Sequence, residues 1–400
     1  MYKMISVQEA LEKIESFKKD FGTEEVSLSD ALHRILAEDI QADRDFPPYD
    51  RVTMDGIAIN VTSFEQGRRS FALEKIQAAG DRVQVLDDPH KCIEVMTGAV
   101  LPQSTDGVIP YEDILIGEGK AFIKADTVRK FQNVHLRGTD SKAGSLLIEK
   151  GVRINASHIG VLASTGKNKV VVKRTPTVAV CSTGDELVDV EATPEPFQVR
   201  RSNVHMIASA LMTEGIRAEV FHFPDDKFIL TDGLKAIVKQ FDVLLLSGAV
   251  SKGKFDFLPE VLLSLGLNTV FHRVAQKPGK PILFGSFESG KLVFGFPGNP
   301  VSTFVCYHLY FRYWLCQSLE TPVVYVPVRL AEPVAFKPRL SYHLMVSLRN
   351  IAGVLEAVPV TGSGSGDLTG LVKAEGFVTL PAEEDVFEAG KLLWMIPFYS

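Results

Sequence analysis

Apolar residues fall into two rhythms along the chain, and the switch between them marks its organisation. Near the start, Ser6 with Glu9 makes a capping-box pattern, and Val7, Ala10, Leu11, Ile14 and Phe17 then recur at helical spacing, which predicts a first helix. A second short helix is expected over 30–37. In the following "QADRDFPPYDRVTMDGIAIN", Pro47 and Pro48 stop any helix. Between 59 and 123, short β-like runs such as "VIPYEDILI" are broken by Gly, Pro and Asp, which reads as a small β domain. The helical rhythm returns in "NASHIGVLASTG", with Asn155 placed to cap the helix and Gly166 to end it.

From Thr177 strands and helices alternate. "TVAVCSTGDEL" is a buried strand entering a glycine turn, and "NVHMIASALMTEG" a helix with a glycine stop. "RAEVFHF" reads as strand, "ILTDGLKAIVKQF" as helix, "DVLLLSGAVSKG" as strand into a glycine loop, and "LPEVLLSLG" as helix. "NTVFHRV" is another strand, and "KLVFGFPGNP" a strand into a third special turn. This alternation implies βαβ units and a parallel sheet, whose ligand crevice lies at the carboxyl ends of the strands. After Thr321 the pattern is β again, with "TGSGSGDL" the one low-complexity-like stretch. The expected fold class is multidomain α/β plus β, with a central doubly wound parallel-sheet domain, an inserted β domain, a helical or extended linker domain and a small C-terminal β domain. The expected boundaries are 1–45 with 142–174, 46–141, 175–320 and 321–400.

Composition narrows this picture. A chain of 400 residues suits a few domains, and 46% hydrophobic residues are ample for real cores. A formal net charge of −6 argues against a general nucleic-acid binder, though not against a local basic pocket. Cys92, Cys181, Cys306 and Cys316 form no CxxC pair, so buried free thiols are expected rather than a disulfide framework or zinc site. The first residues carry no signal-peptide apolar region, and no run approaches the roughly 18 apolar residues of a membrane span. A cytoplasmic protein is expected.

The candidate chemistry gathers at the glycine-rich turns. In "GFPGNPVS" (Gly295 to Ser302), Asn299 suits an N-cap and Pro300 the first helical position. The N–H groups of Val301, Ser302 and Thr303, with the Ser302 hydroxyl, would form an anion cradle, with Pro297 and Gly298 shaping the turn; a plain strand-to-helix junction would look the same. In "SGAVSKGKFDF", Gly248 to Lys254 fits GxxxxGK, but Phe255 stands where a P-loop needs Ser or Thr. A loop of backbone amides with Ser247, Gly248, Ser251 and Gly253 fits better, with Asp256 available to a metal or hydroxyl. Lys277 and Lys280 flank a Pro-Gly turn and offer compact cations to an oxyanion, or else form a solvated basic turn. "STGDEL" offers Ser182, Thr183 and Gly184 to a ligand, and Asp185 and Glu186 to Mg²⁺ beside phosphates. Asp225 and Asp226 form a similar, weaker pair.

Taken in order, these motifs resemble the molybdopterin molybdenumtransferase family, of the MoeA and gephyrin type. The resemblance runs through "PPYDRVTMDGIA", "MTGAVLPQSTDGVI" with Glu112, "LRGTDSKAG", "STGDEL", "SGAVSKGKFDF", "KPGKP", "GFPGNPVS" and "GSGSGDLTGLVKAEGFVTLP". It implies a molybdopterin-binding α/β domain and an elongated homodimer with each active site between subunits. It implies insertion of molybdate into adenylylated molybdopterin with release of AMP, helped by Mg²⁺ or a similar cation. Handover to a molybdopterin adenylyltransferase and to molybdoenzymes would follow. Lys277 and Lys280 would hold molybdate or phosphate, and Glu186 and Asp256 metal or pterin, with Asp225 or Asp226 beside them. Asp55, Thr97 and Asp140 would complete the neighbouring subunit's pocket. The departures are Val52 for a serine, Ile57 for an aromatic, Ala249 for a glycine, and Lys254 and Arg201 for acids. A pterin-binding or carrier paralogue that inserts no metal, and a P-loop nucleotidase, are the competing readings.

Overall fold

Ser6 and Glu9 close a reciprocal cap on helix α1 (Val7–Glu15): the Ser6 hydroxyl accepts from the Glu9 N–H, and the Glu9 carboxylate accepts from the Ser6 N–H at 2.7 Å. Ala10 and Ile14 are buried on the helix face that meets the core. The structure, a computed structural model, describes residues 4–248, 257–362 and 364–398. Two compact units emerge: Met1–Ala37, Gly151–Asn155 and Val170–Ser400 in one, Glu38–Lys150 and Ala156–Lys169 in the other.

The second unit is built on a six-stranded sheet of β1 (Gly56–Ile59), β2 (Ser70–Gln77), β3 (Lys91–Val95), β4 (Gly107–Pro110), β5 (Ile114–Gly117) and β6 (Lys120–Ile123), in the order β4-β1-β3-β2-β6-β5. The β reading of 59–123 holds. Helix α2 (Ala156–Ser164) follows Asn155, and Gly166, at φ 76°, ends it. No helix forms over 30–37: a single 3₁₀ turn covers Leu28–Asp30, then Ile35 and Leu36 bridge Arg153 and Val172. Their helix-like apolar spacing is overridden by backbone partners more than a hundred positions away in the chain.

In the first unit, β7 (Val178–Thr183), α3 (Asn203–Thr213), β8 (Glu219–Phe223), α4 (Lys227–Gln240), β9 (Val243–Ser247), α5 (Leu258–Ser264), β10 (Asn268–His272), β11 (Leu283–Ser286) and β12 (Leu292–Phe296) build a sheet ordered β8-β7-β9-β12-β11-β10. The first four strands are parallel, and β7, β9 and β12 are buried along their whole length, as strands covered on both faces must be. The sheet is not parallel throughout. β11 runs antiparallel to both of its neighbours, β10 and β12; Pro278, Gly279 and Pro281 make the β10–β11 connection a turn where a helix was needed for a parallel return. After β12 a single helical rod runs through α6 (Pro300–Cys306), a π-helical turn at Tyr307–Phe311 and α7 (Arg312–Leu319). Nearly all of it is buried among Phe284, Phe294 and α1, and Trp314 Nε1 donates to the Phe17 carbonyl at 2.9 Å.

Beyond the rod, β13 (Val326–Leu330), β14 (Ser341–Ile351), β15 (Val354–Pro359), β16 (Gly376–Leu380) and β17 (Leu392–Pro397) close into a barrel through the pairs β14–β15, β15–β13, β13–β17, β17–β16 and β16–β14. Closure removes the sheet edges. The β10–β11 turn reaches this barrel: Gln276 and Lys277 pair in parallel with Ser341 and Tyr342.

Candidate functional site

The strand register brings the predicted turns together. Ser182 of β7 pairs with Ser247 of β9, and Ser247 with Phe296 of β12, so the loops after Thr183, Ser247 and Phe296 leave three adjacent parallel strands at the same end. Gly248, at φ 100°, would be strained by any side chain, and a Cβ there would stand 3.1 Å from the Thr183 carbonyl. A Cβ on Gly298 would in turn meet the Gly248 Cα at 3.6 Å.

Between these loops lies a cavity of about 620 Å³ lined by Ser182, Thr183, Glu186, Ser247, Gly248, Gly298 and Asn299. Asn203 and Arg201 also line it. Asn203 Nδ2 donates to the Ser247 hydroxyl at 2.9 Å and to the Gly298 carbonyl at 2.7 Å, tying two of the strand ends to the start of α3. Three buried polar atoms here have no partner among the described residues: Thr183 Oγ1, Asn203 Oδ1 and Arg201 Nε. Buried polar groups are ordinarily satisfied, so three orphans on one cavity wall suit a polar ligand. Arg201 is ion-paired with Asp189 at 2.5 Å, and this bond is the main reason the Asp189 carboxyl lies below its ordinary range.

A second cavity, of about 460 Å³, adjoins the first at the 297–300 turn. Lys277, Lys280, Pro297, Asn299 and Ser302 line it, together with Tyr342 and His343 from the barrel and the loop around Ser365. Among the described residues neither lysine ammonium has an acidic partner. Lys277 Nζ instead lies 5.5 Å from the Phe336 ring and 5.8 Å from the Tyr342 ring, and those two rings stack.

The anion cradle expected at the start of α6 is partly filled by the protein. The Val301 N–H donates to the Ser365 carbonyl, and the Thr303 N–H to the Asn299 carbonyl. Asn299 makes no side-chain cap; its Nδ2 donates to the Ser365 hydroxyl at 2.9 Å. A loop more than sixty positions away occupies one of the donors that local pattern alone leaves open, the Val301 N–H.

The acids take separate places. Asp185 Oδ1 accepts from the Asp225 N–H at 3.1 Å, while Asp226 caps α4 by accepting from the N–H groups of Phe228 and Ile229. Among the described residues no group of three His, Cys, Asp or Glu side chains could hold a metal ion. Ser251, Gly253 and Asp256, with Ala249 and Lys254, lie outside the described residues. In the other unit, Asp55 Oδ1 accepts from the Thr97 N–H at 2.6 Å and from its hydroxyl at 2.7 Å, bonds that hold the carboxyl below the ordinary range. Asp140 meets the His135 ring at 2.8 Å. Val52 and Ile57 are buried in that unit's two apolar clusters.

Asn203, Ser365, Gln276, Phe336, Tyr342 and His343 were not singled out from the sequence. Only Asn203 had a local signal, in "RSN", and Ser365 one in "GSGSGDL". The others reach the cavity through the barrel pairing.

The chain matches three family profiles in order: "MoeA N-terminal region (domain I and II)" over residues 5–166, "Probable molybdopterin binding domain" over 179–317, and "MoeA C-terminal region (domain IV)" over 327–398. A molybdopterin molybdenumtransferase of Synechocystis sp. is 39% identical, over 99% of this chain and 100% of the relative. The chain belongs to the molybdopterin molybdenumtransferase family. A Bacillus subtilis protein of the same name is 32% identical over 98% of this chain and 94% of its own length. The crystal structure of a molybdopterin biosynthesis MoeA protein from Pyrococcus horikoshii has the same fold over 100% of both chains, at 31% identity and a TM-score of 0.75. The fold and family expected from the ordered motifs are therefore correct, and the relatives favour neither the carrier nor the P-loop reading. Among the described residues no helix is long and apolar enough to cross a membrane.

Proposed function

We propose that this protein is a molybdopterin molybdenumtransferase that inserts molybdate into adenylylated molybdopterin and releases AMP. The observation that carries the reading is the pair of adjoining cavities: among the described residues, one is lined by two lysines without acidic partners and the other by polar atoms without partners at the ends of parallel strands. Molybdate is a compact dianion, and Lys277 and Lys280 supply two charges and six donors for it. The larger cavity suits a phosphorylated ligand, with Thr183, Ser247 and Asn203 as hydrogen-bonding groups and Arg201 as a cation. The shared 297–300 wall would keep the oxyanion next to the pterin.

Glu186 lines the larger cavity, and Mg²⁺ ordinarily takes one or two carboxylates together with substrate phosphates. The described acids form no three-carboxylate site, so such an ion would rest on Glu186, on the substrate phosphates and on Asp256. The cation would offset charge on the phosphoanhydride as AMP departs. A homodimer in which Asp55, Thr97 and Asp140 complete the partner's site, a cytoplasmic location, handover to adenylyltransferase and molybdoenzyme partners, and the four-part domain division complete the reading.

The test is AMP release from adenylylated molybdopterin with and without molybdate and Mg²⁺. Molybdate-stimulated release with formation of active cofactor is expected. Tight binding without release would overturn the enzyme reading. Lys280→Ala should reduce cofactor formation at least about a hundredfold with the fold intact, since it removes a charge-assisted contact to the reacting anion. Full activity of that variant would overturn the site assignment.

A further inference from the structure

The turn that carries Lys277 and Lys280 is clamped from beneath by one buried amide. Gln276 is 1% exposed, and its Nε2 donates to the Pro278 carbonyl at 3.1 Å and to the Gly279 carbonyl at 3.2 Å. That orientation makes Oε1 the acceptor. Oε1 takes the Tyr310 hydroxyl from the π-helical turn and faces His343 Nε2 from β14 at 3.4 Å. His343 Nδ1 lies 3.0 Å from the Thr379 hydroxyl of β16.

One protonation pattern satisfies every partner. Tyr310 keeps its proton, because burial pushes its pKa well above the ordinary value. His343 is neutral, because burial pushes it down to about 3. With the proton on Nε2 it donates to Gln276, and Nδ1 accepts from Thr379. Space is as tight as the bonding: Gly279 sits at φ 85°, and a Cβ there would stand 2.5 Å from Cys306 Sγ and 2.8 Å from Gln276 Nε2. The amide thus joins three elements that meet only in the folded chain: the turn, the rod and the barrel.

We infer that Gln276 is a positioning residue for the oxyanion subsite, setting the spacing of Lys277 and Lys280 through the two carbonyls of the turn between them, with Tyr310 and His343 holding the amide in place. Two ammonium groups flanking one anion repel each other while the site is empty, so their separation must come from the backbone. The stacked Phe336 and Tyr342 rings hold only the Lys277 end. Gln276 holds the backbone itself. This inference rests on the proposed role of the two lysines.

The test titrates molybdate alone into the full-length protein by calorimetry. Gln276→Met keeps the volume and removes the amide; Tyr310→Phe keeps the ring, removes one bond to the amide, and lies outside the cavity lining. Misplacing the lysines should raise the molybdate Kd about tenfold in Gln276→Met and by a smaller factor in Tyr310→Phe. In a Lys277→Ala/Lys280→Ala background, Gln276→Met should add nothing further, which a general loss of stability would not reproduce. Wild-type affinity in Gln276→Met, or an equal additional loss in the lysine-free background, would overturn the inference. If Gln276→Met does not fold, Tyr310→Phe decides: unchanged affinity there overturns it. Molybdate binding by wild type that is indifferent to both lysines would overturn the underlying site assignment, and this inference with it.

Discussion

At the scale of single residues, the proposed chemistry rests on side chains whose bonding is settled by one or two neighbours. Asp55 is the clearest case. It is exposed, yet the Thr97 hydroxyl, and next the Thr97 N–H, hold its carboxyl below the ordinary range. A carboxylate stabilised in this way stays ionised to lower pH than a free one. Thr97→Val removes the hydroxyl bond and leaves the N–H bond, so the Asp55 titration midpoint, followed by NMR, should move upward. If Asp55 acts as a carboxylate in the reaction, the acid limb of kcat/KM should move up with it. An unchanged midpoint would mean that the hydroxyl bond is not made in solution.

At the scale of elements, the rod from Pro300 to Leu319 couples sheet to barrel, and its π-helical turn carries an unusual load. His308 is buried between Phe304 and Phe398, and among the described residues neither ring nitrogen has a partner. Burial, and next the Arg312 charge, push its pKa from 6.5 down to about 3. Between those values the unfolded chain takes up a proton that the folded chain refuses, so stability is lost as pH falls from about 6.5 toward 3. His308→Leu removes both orphan nitrogens and this linkage. Its stability relative to wild type should grow on acidification, by up to about 1.4 kcal/mol per pH unit, in denaturant unfolding at pH 7.5 and 5. A pH-independent difference would mean that the ring is already paired or solvated.

At the scale of the whole molecule, the proposed dimer makes a prediction that no single-site variant can. If Asp55 serves the partner's pocket while Lys280 serves its own, Asp55→Ala and Lys280→Ala are each inactive, yet a mixed dimer regains one intact site. Random mixing puts half the dimers in the mixed form with one working site of two, so activity should return to about a quarter of wild type. No recovery, with subunit exchange confirmed by mass, would place both residues in the same subunit's site.

Much of this protein was legible in its sequence because the signals are short-range. The α1 cap, the glycine stops and the strand–helix alternation after Thr177 are set by residues within a few positions of one another. So are the three strand-end turns and the two lysines of "KPGKP". Ordered along the chain, they were enough to indicate the fold and the family. What they could not settle depends on residues far apart in sequence. The backbone between Ala31 and Leu36 chose bridges to Arg153 and Val172 over a helix. The Val301 N–H was taken by Ser365. β10 and β11 turned antiparallel, and β14 closed on β16. The buried amide of Gln276 found partners in the rod and the barrel, 34 and 67 positions away. Local pattern determines which backbone groups are left open; only the folded chain decides what fills them, because a buried donor or acceptor must find a partner wherever the fold brings one within reach.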